Sequence, residues 1–317
     1  ALTDIDDGQW HHFAFTYDGS KTSTGMKIYL DGVLLSSNVT NNTTPLTQNF
    51  PADAEYFGNA VAGEYLKGDF DEMRFWTTEL SEADIRNWMT QKTTGSHPQI
   101  DNLVAYYRFD ENTGTTLQDL AGGSAGTLTN MDAATDWIVS GAALGDTSIY
   151  AYPATTINLA GENKKAALSN FAGSADGVHL YHVNDTANTT ANAAGIDSLS
   201  INNGYFGTFM VGGTNPTHDI NVTYLTEPTD KLLEYEGNLA VRSDNSETWS
   251  QAPLQNRTVD TTNNIIDITE ISQRTEFALA SGANNALSFD GTNDYVQVNN
   301  STSLDFTGAF TAECWFY

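Results

Sequence analysis

Cysteine is almost absent from this chain of 317 residues, in which Cys314 is the only one. A lone cysteine excludes an intrachain disulfide framework and a cysteine-rich zinc site. Residues 312–316 (AECWF) alternate in the manner of a strand. We therefore expect Cys314 to be a small, buried apolar residue.

Basic residues are also scarce: 13 lysines and arginines stand against 40 aspartates and glutamates, a net charge of −27. A surface this acidic repels phosphate backbones and anionic lipids, which argues against binding to nucleic acid or to a membrane surface. The charge can still serve solubility at a crowded surface, or the binding of hard cations such as Ca²⁺. No run approaches the ~20 apolar residues of a membrane span, so we expect no membrane insertion.

The sequence opens without a signal peptide. Ala1 begins within a pattern and Tyr317 stops within a strand-like run, so we expect the chain to be a piece of a longer protein.

Short runs rich in Val, Ile, Phe, Tyr and Trp alternate with Asn, Thr, Gly, Ser and Asp, which predicts many strands joined by polar turns. The clearest hairpin joins residues 26–30 to residues 33–35 through Asp31 and Gly32, a pair that suits a type I′ turn. Because side chains alternate along a strand, Met26, Ile28 and Leu30 share one face, and we expect that face to point into a core.

One helix is predicted. Ser81 is its N-cap, Asp84 completes a capping box three residues later, and Leu80 can pack against Ile85. The helix then covers residues 82–89. A single short helix on a strand-rich chain is typical of an accessory at the edge of a β-sandwich.

Changes of composition divide the chain into three segments. Polar, Gly-rich stretches near residues 141–146 and 281–285 separate residues 1–140, 141–282 and 283–317.

Five motifs in order resemble the laminin-G-like, concanavalin-A-like (pentraxin-like) sandwich domains. They are DGQWHHFAFTYDG (7–19), KIYLDGV (27–33), FGN (57–59), LKGDFDEMRFW (66–76) and LSEADI (80–85). Residues 286–296 (ALSFDGTNDYV) and 308–315 (GAFTAECW) are similar to the opening strands of the same family. The resemblance implies the back part of one domain and the front of the next, as in a tandem repeat.

The middle segment resembles, more loosely, the β-rich modules of large bacterial cell-surface adhesins, and we interpret it as an immunoglobulin-like sandwich. The predicted fold class is therefore all-β, a concanavalin-A-like jelly-roll sandwich plus an immunoglobulin-like β-sandwich.

This fold also hosts glucanases, which place three carboxylates on one strand. Asp69 and Asp71 share a strand face, but the third position is Met73 or Arg74, and Glu72 faces the other way. The set is incomplete, so we expect no catalytic residues and no enzyme.

The resemblance also implies a structural Ca²⁺, with Asp71 from one copy and Asp290 and Asp294 from another as ligands. Hard carboxylate oxygens suit Ca²⁺. The alternative is that these acids cap turns, since Asp290-Gly291 is itself a turn signal.

Two tripeptides, Asp185-Thr186-Ala187 and Asp197-Ser198-Leu199, resemble the Asp-(Ser/Thr)-hydrophobic acceptor of a bacterial O-glycosylation system. Thr186 and Ser198 are the predicted glycosylation sites, and we expect both to be exposed in loops.

The predicted function is that of an extracellular adhesive or binding repeat on a cell surface. Its partners would be glycans or surface macromolecules, together with neighbouring repeats of the same protein. The alternative is a ligand-free structural spacer, and a glycoside hydrolase is a third candidate. Trp10, Trp76 and Trp88 do not separate these, because each is also a plausible core residue.

Residues 1–140 lack the opening strands of the family, so we expect another segment to complete their sheet. Either residues 286–317 dock there, from the same chain or a neighbouring copy, or further polypeptide does so. Docking would bring Phe289, Tyr295 and Trp315 to residues 10–17, and Asp290 towards Asp71.

Overall fold

A computed structural model describes residues 5, 7–35, 56–61, 64–161, 164–173, 175–184, 196–199, 204–212, 216–224, 238–252, 256–260, 262–272 and 274–282. The chain divides into two compact units, Ala1–Ala283 and Asn284–Tyr317, and every described residue belongs to the first.

The predictions for residues 286–317 lie outside the described residues. They concern the docked strands with Phe289, Tyr295 and Trp315, the buried Cys314, and the acids Asp290 and Asp294.

Strands make up 46% and helices 7% of the structure, which confirms the all-β class. Besides the α-helix α1 (Glu82–Trp88), the described residues contain two 3₁₀ turns, at Ser23–Gly25 and Ile100–Asn102. The predicted helix is confirmed with its cap. Ser81 Oγ accepts the Asp84 N–H at 3.1 Å, and the Asp84 carboxylate accepts the Ser81 N–H in return.

The described residues before position 141, here called the N-terminal part, form four small antiparallel sheets, β1–β2–β3, β4–β5, β6–β7 and β8–β9. Their strands are β1 (Phe13–Tyr17), β2 (Met26–Leu30), β3 (Val33–Leu34), β4 (Asn59–Val61), β5 (Glu64–Tyr65), β6 (Met73–Trp76), β7 (Leu103–Tyr107), β8 (Thr116–Leu117) and β9 (Gly126–Thr127).

The predicted hairpin of β2 and β3 is confirmed. Asp31 and Gly32 have φ of 50° and 74°, the pair of positive values that a type I′ turn requires. The expected inward face was wrong, because Tyr29 is buried whereas Met26, Ile28 and Leu30 are only half-buried. The reason is the helix. Arg86 Nε of α1 donates to the Gly32 carbonyl at 2.8 Å, and its charge acts on the Tyr29 hydroxyl, so α1 covers the Tyr29 side.

The described residues from 141 to 282 form two antiparallel sheets. One has the order β10–β13–β15–β21–β17–β18, with β14 also paired to β21, and the other has the order β11–β12–β16–β20–β19. The strands are β10 (Thr147–Ala151), β11 (Ile157–Gly161), β12 (Lys164–Ala172), β13 (Gly177–Val183), β14 (Ile196–Leu199), β15 (Tyr205–Val211), β16 (Thr217–Tyr224), β17 (Asn238–Arg242), β18 (Ser250–Gln251), β19 (Arg257–Asp260), β20 (Ile265–Ser272) and β21 (Thr275–Gly282).

A shared apolar core joins the two sheets into a layered structure, here called the β-sandwich. On β16 every second side chain is buried, which is the pattern of a strand with one inward face. The innermost residues of both sheets are Leu168, Val178, Leu180, Phe206, Ile220, Val222, Leu239, Ile268 and Phe277. A β-sandwich is thus present, and its immunoglobulin-like character stays a prediction.

Strands β13 and β15 are buried along their whole length, on both faces. Their outer face is covered partly by a cluster in which Met89, at the end of α1, packs on Phe209 and Val211. The N-terminal part therefore supplies side chains to the β-sandwich.

Hydrogen bonds around His179 strengthen this junction. The Tyr152 hydroxyl donates to the Asp31 carbonyl at 2.7 Å and lies 2.8 Å from His179 Nε2, while Thr90 Oγ1 lies 3.2 Å from His179 Nδ1. Since the Tyr152 proton goes to Asp31, His179 donates from Nε2 to Tyr152 and accepts at Nδ1 from Thr90. The ring is therefore neutral, and burial lowers its pKa to about 3.

Among the large apolar side chains described as exposed, all except Ile149 lie before residue 140. Phe13 and Phe15 on β1 are 57% and 55% exposed. β1 pairs only with β2 among the described strands. Such a surface is what we expect of a sheet that needs a further segment, and that expectation stays a prediction.

Candidate functional site

The acidic segment that precedes β6 was the first candidate site. Asp69 is exposed, whereas Asp71 is half-buried and its Oδ2 accepts the Ser140 hydroxyl proton at 2.6 Å. Burial raises the pKa of Asp71 to about 6, and the Ser140 hydrogen bond opposes that rise.

Glu72 is held away from Asp69 and Asp71. Its backbone φ is 54°, in the left-handed region, and its side chain turns towards β7. There it accepts hydrogen bonds from Arg74 Nη2 at 2.5 Å, the Tyr106 hydroxyl at 2.5 Å and Arg108 Nε at 3.3 Å. Both carboxylate oxygens of Glu72 are thus engaged.

A metal centre at Asp71 would need further acids. No group of three His, Cys, Asp or Glu side chains suited to a metal ion occurs within the described part of the chain. The other two predicted ligands, Asp290 and Asp294, lie outside it, so the calcium site stays a prediction.

Of the two predicted glycosylation sites, Thr186 lies outside the described residues. The backbone of Ser198 is in β14, paired with Ser281 of β21, so the expectation of a loop was wrong for Ser198. The reason is that β14 pairs with β21, a strand about 80 residues further along the chain, which the sequence around Ser198 does not reveal. Modification of Ser198 stays a prediction.

A second candidate site is a cavity of about 250 Å³ between the N-terminal part and the β-sandwich, here called the Trp10 cavity. Its walls come from four stretches of the chain that are far apart in sequence. The lining residues are Gly8, Gln9, Trp10, Gly141, Ser243, Asp244, Ser272 and Arg274.

Local structure explains how several of these residues are placed. Asp7 Oδ1 accepts the Gln9 N–H at 2.9 Å and so forms the turn before Trp10. Asp244 follows β17 and closes a similar turn, with Oδ1 accepting the Ser246 N–H at 2.8 Å. Gly141 allows the two walls to meet, since a Cβ there would come within 2.8 Å of Trp10 Nε1 and 2.9 Å of Asp244.

Arg274 is the cationic residue of the Trp10 cavity. Its Cζ lies 4.1 Å from the centroid of the Phe209 ring, a cation–π contact that fixes one face of the guanidinium. Burial lowers its pKa, while the charges of Asp31 and Asp7 raise it. An arginine remains charged under such a shift.

His11 connects the cavity wall to the hairpin turn. Its Nδ1 lies 2.8 Å from Asp31 Oδ2 and its Nε2 lies 3.2 Å from Asp7 Oδ1. The Asp31 hydrogen bond raises the pKa of His11. Two carboxylates thus hold this ring beside the loop that carries Trp10.

Sequence patterns did not point to the Trp10 cavity. Trp10 was interpreted as a possible core residue, and it is in fact half-buried at the cavity wall. Asp244 and Arg274 belong to no motif. The only available signal was the aromatic residue within a polar turn.

No helix in the described part of the chain has the length and apolar character to cross a membrane.

Comparison with known families gives one match. Residues 1–86 match the Laminin_G_3 model, described as the concanavalin A-like lectin/glucanases superfamily, which confirms the resemblance over that stretch. No curated protein and no solved structure matched the chain.

Proposed function

We propose that this chain is a binding module of an extracellular, multidomain bacterial surface protein, with an adhesive role towards glycans or other surface macromolecules. Residues 1–86 match a superfamily of lectins and glucanases, so binding and hydrolysis are the two activities to weigh.

The hydrogen bonds of Glu72 are the observation that favours binding over hydrolysis. Glycoside hydrolysis needs two carboxyl groups placed on either side of one bond. Glu72 is bound by Arg74, Arg108 and Tyr106, and Asp71 is bound by Ser140. Glu72, the acid that would complete the set with Asp69 and Asp71, is thus committed to other hydrogen bonds, which supports binding without catalysis.

Calcium belongs to the proposal as a structural ion held by Asp71, Asp290 and Asp294. Asp71 is a suitable ligand, because its carboxylate is half-buried and a bound cation would favour its ionised form. The ion would hold loops in place, and no catalytic step depends on it.

The proposal is tested by a glycan array probed with the whole chain, alongside a hydrolysis assay on the same glycans in the presence of Ca²⁺. We expect binding to a restricted set of glycans without release of reducing ends. Turnover that is lost in Glu72→Gln would show instead that the chain is a hydrolase.

A ligand-free spacer is the second candidate, and the junction between the two parts favours it. Tyr152 donates to the Asp31 carbonyl, Thr90 hydrogen-bonds to His179, and Met89 packs on Phe209, so hydrogen bonds and apolar packing join the two parts. A spacer would bind nothing on the array.

A further inference from the structure

The Trp10 cavity combines chemical groups that its own structural contacts leave available. No hydrogen bond or ion pair joins the Arg274 guanidinium to another described residue, although it carries five N–H donors. Asp244 Oδ1 is engaged by the Ser246 N–H and hydroxyl, at 2.8 Å and 2.5 Å, and no hydrogen bond joins Oδ2 to another described residue. The residues that line the Trp10 cavity therefore include uncommitted donors and an uncommitted acceptor.

The remaining wall is suited to a ring-shaped ligand. Trp10 is half-buried and offers an indole ring, a large flat apolar surface with one N–H donor. The hydroxyl groups of Ser243 and Ser272 and the amide of Gln9 can each donate and accept hydrogen bonds.

We propose that the Trp10 cavity binds a single neutral sugar unit of a glycan; this inference rests on the proposed binding function and assigns it a site. Each sugar hydroxyl both donates and accepts, so neighbouring hydroxyls satisfy Arg274 and Asp244 together. The C–H face of the ring packs on Trp10, and the serines and Gln9 bind the outer hydroxyls.

The charges around the cavity select against anions. Asp7, Asp31 and Asp244 all act on Arg274, and the chain as a whole carries −27. A uronate or a sulfated sugar would enter a negative field that one guanidinium does not cancel.

The size of the cavity limits the ligand to one unit. At about 250 Å³ it lies just below the ~300–1,000 Å³ typical of sites for larger molecules. A ligand with roughly a dozen heavy atoms should bind with a Kd on the order of 1 mM. Repetition of the module along a longer protein would then supply the avidity of an adhesin.

The test uses saturation-transfer NMR on the whole chain with glucose, galactose, mannose, N-acetylglucosamine and glucuronate. Three variants address the cavity: Trp10→Ala removes the flat wall, Arg274→Met keeps the packing on Phe209 but removes the donors, and Gly141→Ala narrows the space. Trp137→Ala is the matched control, because it removes another half-buried indole that lies outside the cavity. Urea midpoints verify that each variant folds.

We expect at least one neutral sugar to bind, with affinity reduced about tenfold or more in each cavity variant and unchanged in Trp137→Ala. Neutral sugar binding that persists in all three variants would overturn the assignment of the site and leave the proposed function standing. Binding of glucuronate alone would overturn the neutral-ligand assignment. Failure of every monosaccharide and of the glycan array would overturn both proposals.

Discussion

Acidification should destabilise the β-sandwich, because His179 and His218 are fully buried in their neutral form. Burial lowers the pKa of His179 to about 3 and that of His218 to about 4. An unfolded histidine titrates near 6.5. Between pH 6.5 and 4 the unfolded chain therefore binds more protons than the native chain, and stability falls as pH falls.

The loss of stability on acidification can be calculated from the difference between the folded and unfolded pKa values of each histidine. From pH 7 to pH 5 each of these histidines should cost about 2 kcal/mol, since one pKa unit corresponds to about 1.4 kcal/mol. Together they remove about 4 kcal/mol, out of a total stability that is typically ~5–15 kcal/mol. Asp71 acts in the opposite direction. Its native pKa of about 6 exceeds the unfolded value, so acidification from pH 7 to pH 5 increases the free energy of unfolding by about 1 kcal/mol.

His218→Leu isolates one of the two contributions. Neither ring nitrogen of His218 has a hydrogen-bond partner among the described residues, and the ring stacks on Phe171 at 6.1 Å. Leucine removes the buried polar atoms, so we expect the variant to be at least as stable at pH 7. Between pH 7 and pH 5 the free energy of unfolding of this variant should fall by about 2 kcal/mol less than that of the wild type.

The assay is urea unfolding at pH 7, 6 and 5, followed by Trp fluorescence and circular dichroism. His11→Gln is the control of opposite sign, because the pKa of His11 is raised by Asp31. The stability from a raised histidine pKa is present at low pH and lost as pH rises, so this variant should not reduce the acid lability. An acid loss in His218→Leu equal to that of the wild type would refute the burial of His218 as a neutral ring.

Three further outcomes are expected. Glu276→Gln should cost about 3–5 kcal/mol in urea unfolding, because it leaves the buried Arg242, 2.6 Å away, without its counter-charge; a loss below about 1 kcal/mol would contradict the buried ion pair. Millimolar Ca²⁺ should raise the melting temperature of the wild type, and Asp71→Asn should abolish that rise, whereas an equal rise in both would exclude Asp71 as a ligand. Intact mass of material from a bacterium with the matching O-glycosylation system should show hexose additions that Thr186→Ala and Ser198→Ala remove, and bare hydroxyls in native material would count against both sites.

Local features of the chain could be predicted from the sequence because their causes lie within a few residues. The Ser81 cap and the Asp84 side chain that completes it are three residues apart, and they define the start of α1. The Asp31-Gly32 turn depends on the backbone preferences of those two residues. Alternation of apolar and polar residues was enough for the all-β class.

Which surface each element buries was decided by packing between distant elements. Alternation on β2 showed that its two faces differ, but only the position of α1 determined that Tyr29 is the buried side chain. Likewise, β14 formed at Ser198 because β21 supplied a partner about 80 residues later. Neither choice is encoded in the short segment that it affects.

The Trp10 cavity illustrates the same limit for the candidate site. The acids around Asp71 form a visible motif, yet it is tertiary contact with Tyr106 and Arg108 that engages Glu72. Trp10 and Arg274 are separated by most of the chain and meet only when the N-terminal part packs against the β-sandwich. A sequence by itself determines local conformation through short-range sterics and hydrogen bonds, whereas a site built from distant side chains exists only once long-range packing has brought them together.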